Sequence, residues 1–172
     1  PAPVIALTAT ATPSVAQDIV RLLVKRGTEA QMKRDREAFR VIKSSFERKN
    51  LCYTVHKCSD KLGALLNLLS RTEGSTIVYM RSRAKCEQIS SFLTSQGHSA
   101  SFYHAGLSPA QRSQRQQEWM SGNIRTMVCT NAFGMGIDKS DVRLVVHLSL
   151  PDSIESYFQE AGRAGRDLKD SK

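Results

Sequence analysis

Thr76-Ile-Val-Tyr-Met80, then Arg81-Ser82-Arg83, then Cys86, Ile89, Phe92 and Leu93 at helical spacing, decide how this chain folds. Five residues of almost uninterrupted β-branched and apolar character read as a strand buried on both faces. Ser82 is a good helix N-cap, and the spacing after it predicts an amphipathic helix. The same alternation runs outward in both directions. Strands are expected at 39–44, 51–56, 99–103, 126–130 and 144–148, and another at 3–8. Helices are expected after Thr12-Pro13, after Ser59, after Ser108-Pro109 and after Ser153. Gly27 is expected to end the first of them, and 28–37 reads as linker or a short exposed helix. Short apolar strands interleaved with helices imply an α/β fold whose mostly parallel sheet is covered on both faces. Such sheets bind ligands beyond the C-terminal ends of their strands, where every motif below is expected to sit.

The chain has 172 residues, room for one ordinary domain or one domain plus a piece of another. Its formal net charge of +9 favours a polyanionic partner, nucleic acid first. Residues 21–49 hold ten Lys/Arg against four Asp/Glu, which suits either a solvated linker or a binding patch. No apolar run approaches the roughly 20 residues of a membrane span. Cys52, Cys58, Cys86 and Cys129 form no CxxC pair, so reduced thiols are expected and no zinc site.

Several short stretches could carry chemistry. Gln159-Glu-Ala-Gly-Arg163-Ala-Gly-Arg166-Asp167 follows Ile154, Tyr157, Phe158 and Ala161, an amphipathic helical pattern. Two arginines three apart can converge on one polyanion, and glycines beside them admit a phosphate. The alternative is a solvated helix C-terminus, where cations oppose the macrodipole. The strand 126–130 runs into Asn131-Ala-Phe-Gly134-Met-Gly136-Ile-Asp138, a tight loop able to approach a nucleotide, or an ordinary strand exit. Arg81-Ser82-Arg83 at a helix start is an anion site or a solvated cap. His104 follows a strand that ends at Tyr103, Thr130 ends another, and Thr8, Thr10 and Thr12 alternate after the first one. Trp119 is expected in the core.

In this order and spacing, five segments together resemble the RecQ family of superfamily-two DNA helicases: 6–12, 79–83, 103–106, 130–138 and 159–167. Asn131 to Asp138 with Val142-Arg143, and Tyr157 to Asp167, carry the likeness most strongly. Phe46-Glu-Arg-Lys-Asn-Leu51 is similar to the family's entry into its second core domain. Residues 28–37 have no match and look like an insertion. The resemblance implies a RecA-like three-layer fold. It implies the end of a first RecA-like domain at 1–27, a basic linker and entry strand at 28–45, and a second domain at 46–172. The phosphate-gripping GxxxxGK[ST] and the acidic metal box, which the family carries on the first domain, do not occur in this sequence. ATP and Mg²⁺ would therefore be held mainly elsewhere in the polypeptide, and the isolated fragment is expected to be inactive.

The resemblance further implies that Arg166 is an arginine finger directed at the γ-phosphate. Arg163 would contact phosphate or organise the motif, with Gln159 nearby in the cleft. Gly134, Gly136 and Asp138 would line the nucleotide, Asp138 near the ribose. Arg81, Ser82, Arg83, His104 and Thr130 would follow the backbone of single-stranded DNA. The partners implied are DNA, single-stranded and at duplex junctions, and the remainder of the same polypeptide. Unwinding would run 3′ to 5′, inside the cell, in the cytoplasm of a bacterium or the nucleus of a eukaryote. Two alternatives stand beside this: a superfamily-two motor on RNA or chromatin, and a nucleic-acid-binding module without ATPase activity.

Overall fold

The computed structural model describes residues 4–8, 11–24, 39–43, 45, 47–134 and 136–172. Thr10, Gly27, Ser44, Phe46, Met135 and the expected linker at 28–37 lie outside the described residues. The chain divides into two compact units, 1–47 and 48–172.

In the first unit, helix α1 (Pro13–Val24) begins where Thr12 and Pro13 predict. The Thr12 hydroxyl accepts from the Val15 N–H at 3.3 Å, and its carbonyl from Ala16 at 2.9 Å. The strands expected at 3–8 and 39–44 are not formed among the described residues. An apolar run becomes a strand only when another backbone meets its donors and acceptors. No described strand pairs with either run, and Ile5 and Leu7 are exposed.

The second unit contains α2 (Lys61–Arg71), β1 (Ser75–Tyr79), α3 (Arg83–Ser95), β2 (Ala100–Tyr103), α4 (Pro109–Met120), β3 (Thr126–Cys129), β4 (Val142–His147) and α5 (Ile154–Ala161). The four strands form one parallel sheet in the order β2-β3-β1-β4. The central strands β1 and β3 are buried at every position, as an apolar run without alternation requires. The strand expected at 51–56 shrinks to one bridge, Leu51 with Ser171.

Successive residues of each strand feed two separate cores. Val78, Met80, Val128 and Leu144 pack with Leu65 and Leu69 of α2 and with Cys86, Ile89 and Leu93 of α3. On the other face Ile77, Tyr79, Met127 and Cys129 pack with Trp119 of α4, Phe133, Ile137 and Ala164. Helices on both faces make a three-layer α/β/α sandwich. Ser82, Ser108 and Ser153 cap their helices, Ser108 in a full capping box with Gln111. For α2 the cap is Asp60 instead of Ser59, its carboxylate accepting from the Gly63 N–H at 2.9 Å.

Candidate functional site

Helix α5 returns along the sheet face after β4, and the loop behind it carries the two arginines. The loop does not stay at the C-terminal strand ends, as the sequence reading expected. The Gly165 N–H donates to the carbonyl of Val142, the first residue of β4, at 2.9 Å. A bulge seats it there. Ser75 pairs with Val142 and Thr76 with Leu144, so Arg143 is an extra residue. Its guanidinium grips both oxygens of Asp167, one at 3.0 Å. That grip holds the Asp167 carboxyl below its ordinary range.

Arg163 and Arg166 do not converge. Arg163 turns inward and donates through Nη1 to the Gly134 carbonyl. Gly134 has φ +138°, and a Cβ there would lie 2.3 Å from the Arg163 guanidinium carbon, so only glycine admits this contact. Arg166 stays at the surface and pairs with Asp138, Nη1 to Oδ1 at 2.7 Å. Gln159 is exposed one helical turn before Arg163. Gly136, at φ +75°, completes the bend of the loop that follows β3.

Three residues without a role of their own in the sequence reading, Tyr79, His147 and Glu160, lock this arrangement from inside. The Tyr79 hydroxyl donates to the Phe133 carbonyl at 3.2 Å, and its ring stacks on His147 at 5.3 Å. His147 Nε2 meets the buried Glu160 carboxylate at 2.8 Å. Burial pushes the Tyr79 phenol far above its ordinary value, so it serves as a neutral donor. Glu160 also corrects the reading of α5. Glu160 and Ala161 face the interior, while Ile154 and Phe158 are exposed. A carboxylate is tolerated inside because His147 satisfies it. Helical spacing assigns Glu160 to a polar face, and only the position of His147 on the sheet explains its burial.

The other candidate set lies at three neighbouring strand ends. Arg81, Ser82 and Arg83 follow β1, His104 follows β2, and Thr130 follows β3. Their side chains divide into two kinds. Thr130 is buried, and its hydroxyl accepts from the Ala132 N–H at 3.4 Å. His104 is 5% exposed, with Nε2 on Glu87 at 2.9 Å. Both serve the local structure in this conformation. Ser82 accepts from the Lys85 N–H at 3.4 Å as the cap of α3. Arg81 is exposed in an ion pair with Asp152, and Arg83 is exposed beside Gly106. Two exposed guanidiniums at a helix N-terminus make an anion-attracting edge.

Among the described residues, no three His, Cys, Asp or Glu side chains gather to hold a metal ion. No described helix is long and apolar enough to cross a membrane. Burial pushes the Cys86 thiol up to about 11 and that of Cys129 well above its ordinary value, so both remain neutral core groups.

Residues 60–167 match the family model of the helicase conserved C-terminal domain. The chain is similar to the ATP-dependent DNA helicase RecQ of Pasteurella multocida, 44% identical over 167 residues, 96% of this chain and 25% of that protein. It is 44% identical over 170 residues to the ATP-dependent DNA helicase hus2/rqh1 of Schizosaccharomyces pombe, 97% of this chain and 12% of that one. The rat ATP-dependent DNA helicase Q5 is 39% identical over 183 residues, 99% of this chain and 18% of the relative. The chain thus spans a quarter or less of the length of these relatives. Its fold is like that of the E. coli DEAD-box protein SrmB, solved bound to regulator of ribonuclease activity A. The TM-score is 0.60 at 24% identity, over 64% of this chain and 66% of that one.

Proposed function

Since the chain belongs to the helicase conserved C-terminal domain family, we propose that it is the second motor domain of an ATP-dependent, RecQ-like DNA helicase. In this reading residues 1–27 end the first motor domain and 28–45 connect the two. The observation that carries the reading is the division of labour between the two arginines. Arg163 anchors the loop through Gly134, and Arg166 is presented at the surface, paired with the exposed Asp138.

ATP would supply the phosphoryl group, and its Mg²⁺ would be held mainly by the other motor domain. This domain's residues fit such a group on one side. The Arg166–Asp138 pair is solvent-exposed, and exposed pairs are worth about 0–1 kcal/mol. Arg166 can therefore leave Asp138 for a phosphate oxygen at little cost. A guanidinium delivered to a transferring phosphoryl group stabilises its spreading negative charge, worth about 10³–10⁵ in rate in comparable systems. Gly134, Gly136 and Asp138 line the same side, with Gln159 in the cleft and Asp138 freed to meet the ribose. Mg²⁺ needs carboxylates that this domain does not bring together among its described residues.

Arg81 and Arg83 grip the backbone of single-stranded DNA, with Ser82 orienting the helix start between them. His104 and Thr130 shape the strand ends beneath. Phosphate contacts give affinity without sequence readout, as translocation requires. The proposed direction is 3′ to 5′, inside the cell. ATP hydrolysis by the full-length protein, with and without single-stranded DNA, tests the reading. Strong stimulation by the DNA is expected. Absence of hydrolysis would leave a binding module, and stimulation by RNA alone would indicate an RNA motor.

A further inference from the structure

Two side chains at the entrance of the second unit hold the arginine loop from behind. Arg48 donates through Nη1 to the Gly162 carbonyl at 3.0 Å and through Nη2 to the Gly165 carbonyl. Asn50 donates through Nδ2 to the Gly165 carbonyl at 2.8 Å and to that of Lys169 at 3.0 Å. These contacts join residues more than a hundred positions apart, and they bracket Arg163 and Arg166. Gly162 is the C-cap of α5, whose free carbonyls carry the negative end of the helix dipole. A forked guanidinium bonded to that cap and to the next turn fixes the angle between them.

Gly165 shows how tightly the fit is drawn. Its φ is +60°, and a Cβ there would lie 2.4 Å from Asn50 Nδ2 and 2.9 Å from the Lys169 carbonyl. The backbone comes this close to Asn50 only because residue 165 has no side chain. The holding segment is itself pinned. Cys52 N–H donates to the Ser171 carbonyl, and Ser171 N–H to that of Asn50, each at 2.9 Å.

We propose that Arg48 and Asn50 are positioning residues for Arg166: they clamp the loop 162–169 so that the exposed guanidinium is presented in one place. This rests on the reading of Arg166 as an arginine finger. Arg48 is the first residue after the boundary between the two units. The chain that enters the motor domain is thus the chain that holds its catalytic loop.

The test uses the full-length protein with Arg48→Ala, Asn50→Ala, Arg166→Ala and the double variant Arg48→Ala/Arg166→Ala. Hydrogen exchange reads the clamp directly, without reference to activity. Amides of 162–169 should exchange faster in Arg48→Ala and Asn50→Ala, while those of β1 and β3 stay protected. DNA-stimulated kcat should fall about 10–100-fold in Arg48→Ala, with KM for ATP and DNA affinity within about twofold, as misplacement of a catalytic group predicts. In the Arg166→Ala background, Arg48→Ala should add nothing, because the group it positions is gone.

Unchanged exchange at 162–169 would overturn the clamp. Faster exchange with normal kcat, while Arg166→Ala is inactive, would overturn the positioning role. So would a parallel loss of melting temperature, KM and DNA affinity, which marks a merely structural contact. If Arg166→Ala retains full turnover, the finger assignment fails instead, and exchange still decides the clamp. Asn50→Ala leaves Arg48 in place and keeps the test open where Arg48→Ala folds poorly.

Discussion

Arg163 and Arg166 stand three residues apart and do different work. One is an internal strut on Gly134, and the other is offered to solvent on Asp138. Gly134→Ala places a methyl group inside the Arg163 guanidinium at a backbone angle that side chains rarely adopt. A loss of about 1–3 kcal/mol in thermal or urea unfolding is expected. Asp167 gives a pH dependence of definite sign. Its pKa lies below the ordinary 3.8 because of the Arg143 hydrogen bonds. The stabilisation is therefore fully present above that value and is lost as pH falls through the lower folded value. Asp167→Asn should flatten the acid limb of a stability-against-pH curve below about pH 4, and an unchanged limb would show the pair to be inert. On the DNA side, Arg83→Ala should reduce the salt slope of single-strand binding by roughly 0.7, the share of one phosphate contact. An unchanged slope would leave Arg83 a solvated side chain.

At the level of elements, β1 with α3 was legible from the sequence because both signals are local. An unbroken apolar run and a serine cap need no distant partner to be recognised. The strands expected at 3–8, 39–44 and 51–56 have the same apolar look, but a strand exists only by pairing, and composition does not reveal the partner. The site divides in the same way. Gly134 and Arg166 could be given roles by motif; Arg143, Glu160, Arg48 and Asn50 lie in quoted segments too, but their roles, like that of His147, come from contacts with residues distant in sequence. The Arg143 bulge is a two-strand feature with no single-sequence signature. Trp119 illustrates what was readable: it is fully buried and edge-on to Phe133 at 5.3 Å, under the loop that carries Gly134. Trp119→Ala should cost about 3–5 kcal/mol, measured by denaturant unfolding. It should also loosen that loop, whereas a cost below about 1 kcal/mol would mean the site can collapse around the gap.

In the molecule as a whole, the sheet sets out two candidate sites. Arg81 and Arg83 lie where the strands end, and the arginine loop folds back along one face to the start of β4. A motor needs both a grip on its track and a group that senses nucleotide, and this domain carries one candidate for each. The net charge of +9 fits a polyanionic track. Arg166 is proposed to complete an active site whose other half lies elsewhere in the polypeptide. The most direct measurement is DNA-stimulated ATP turnover by the full-length protein carrying Arg166→Ala, with its melting temperature recorded alongside. A fall in kcat of about 10³-fold or more, with folding intact, is expected. Turnover at the unsubstituted rate would contradict the proposal.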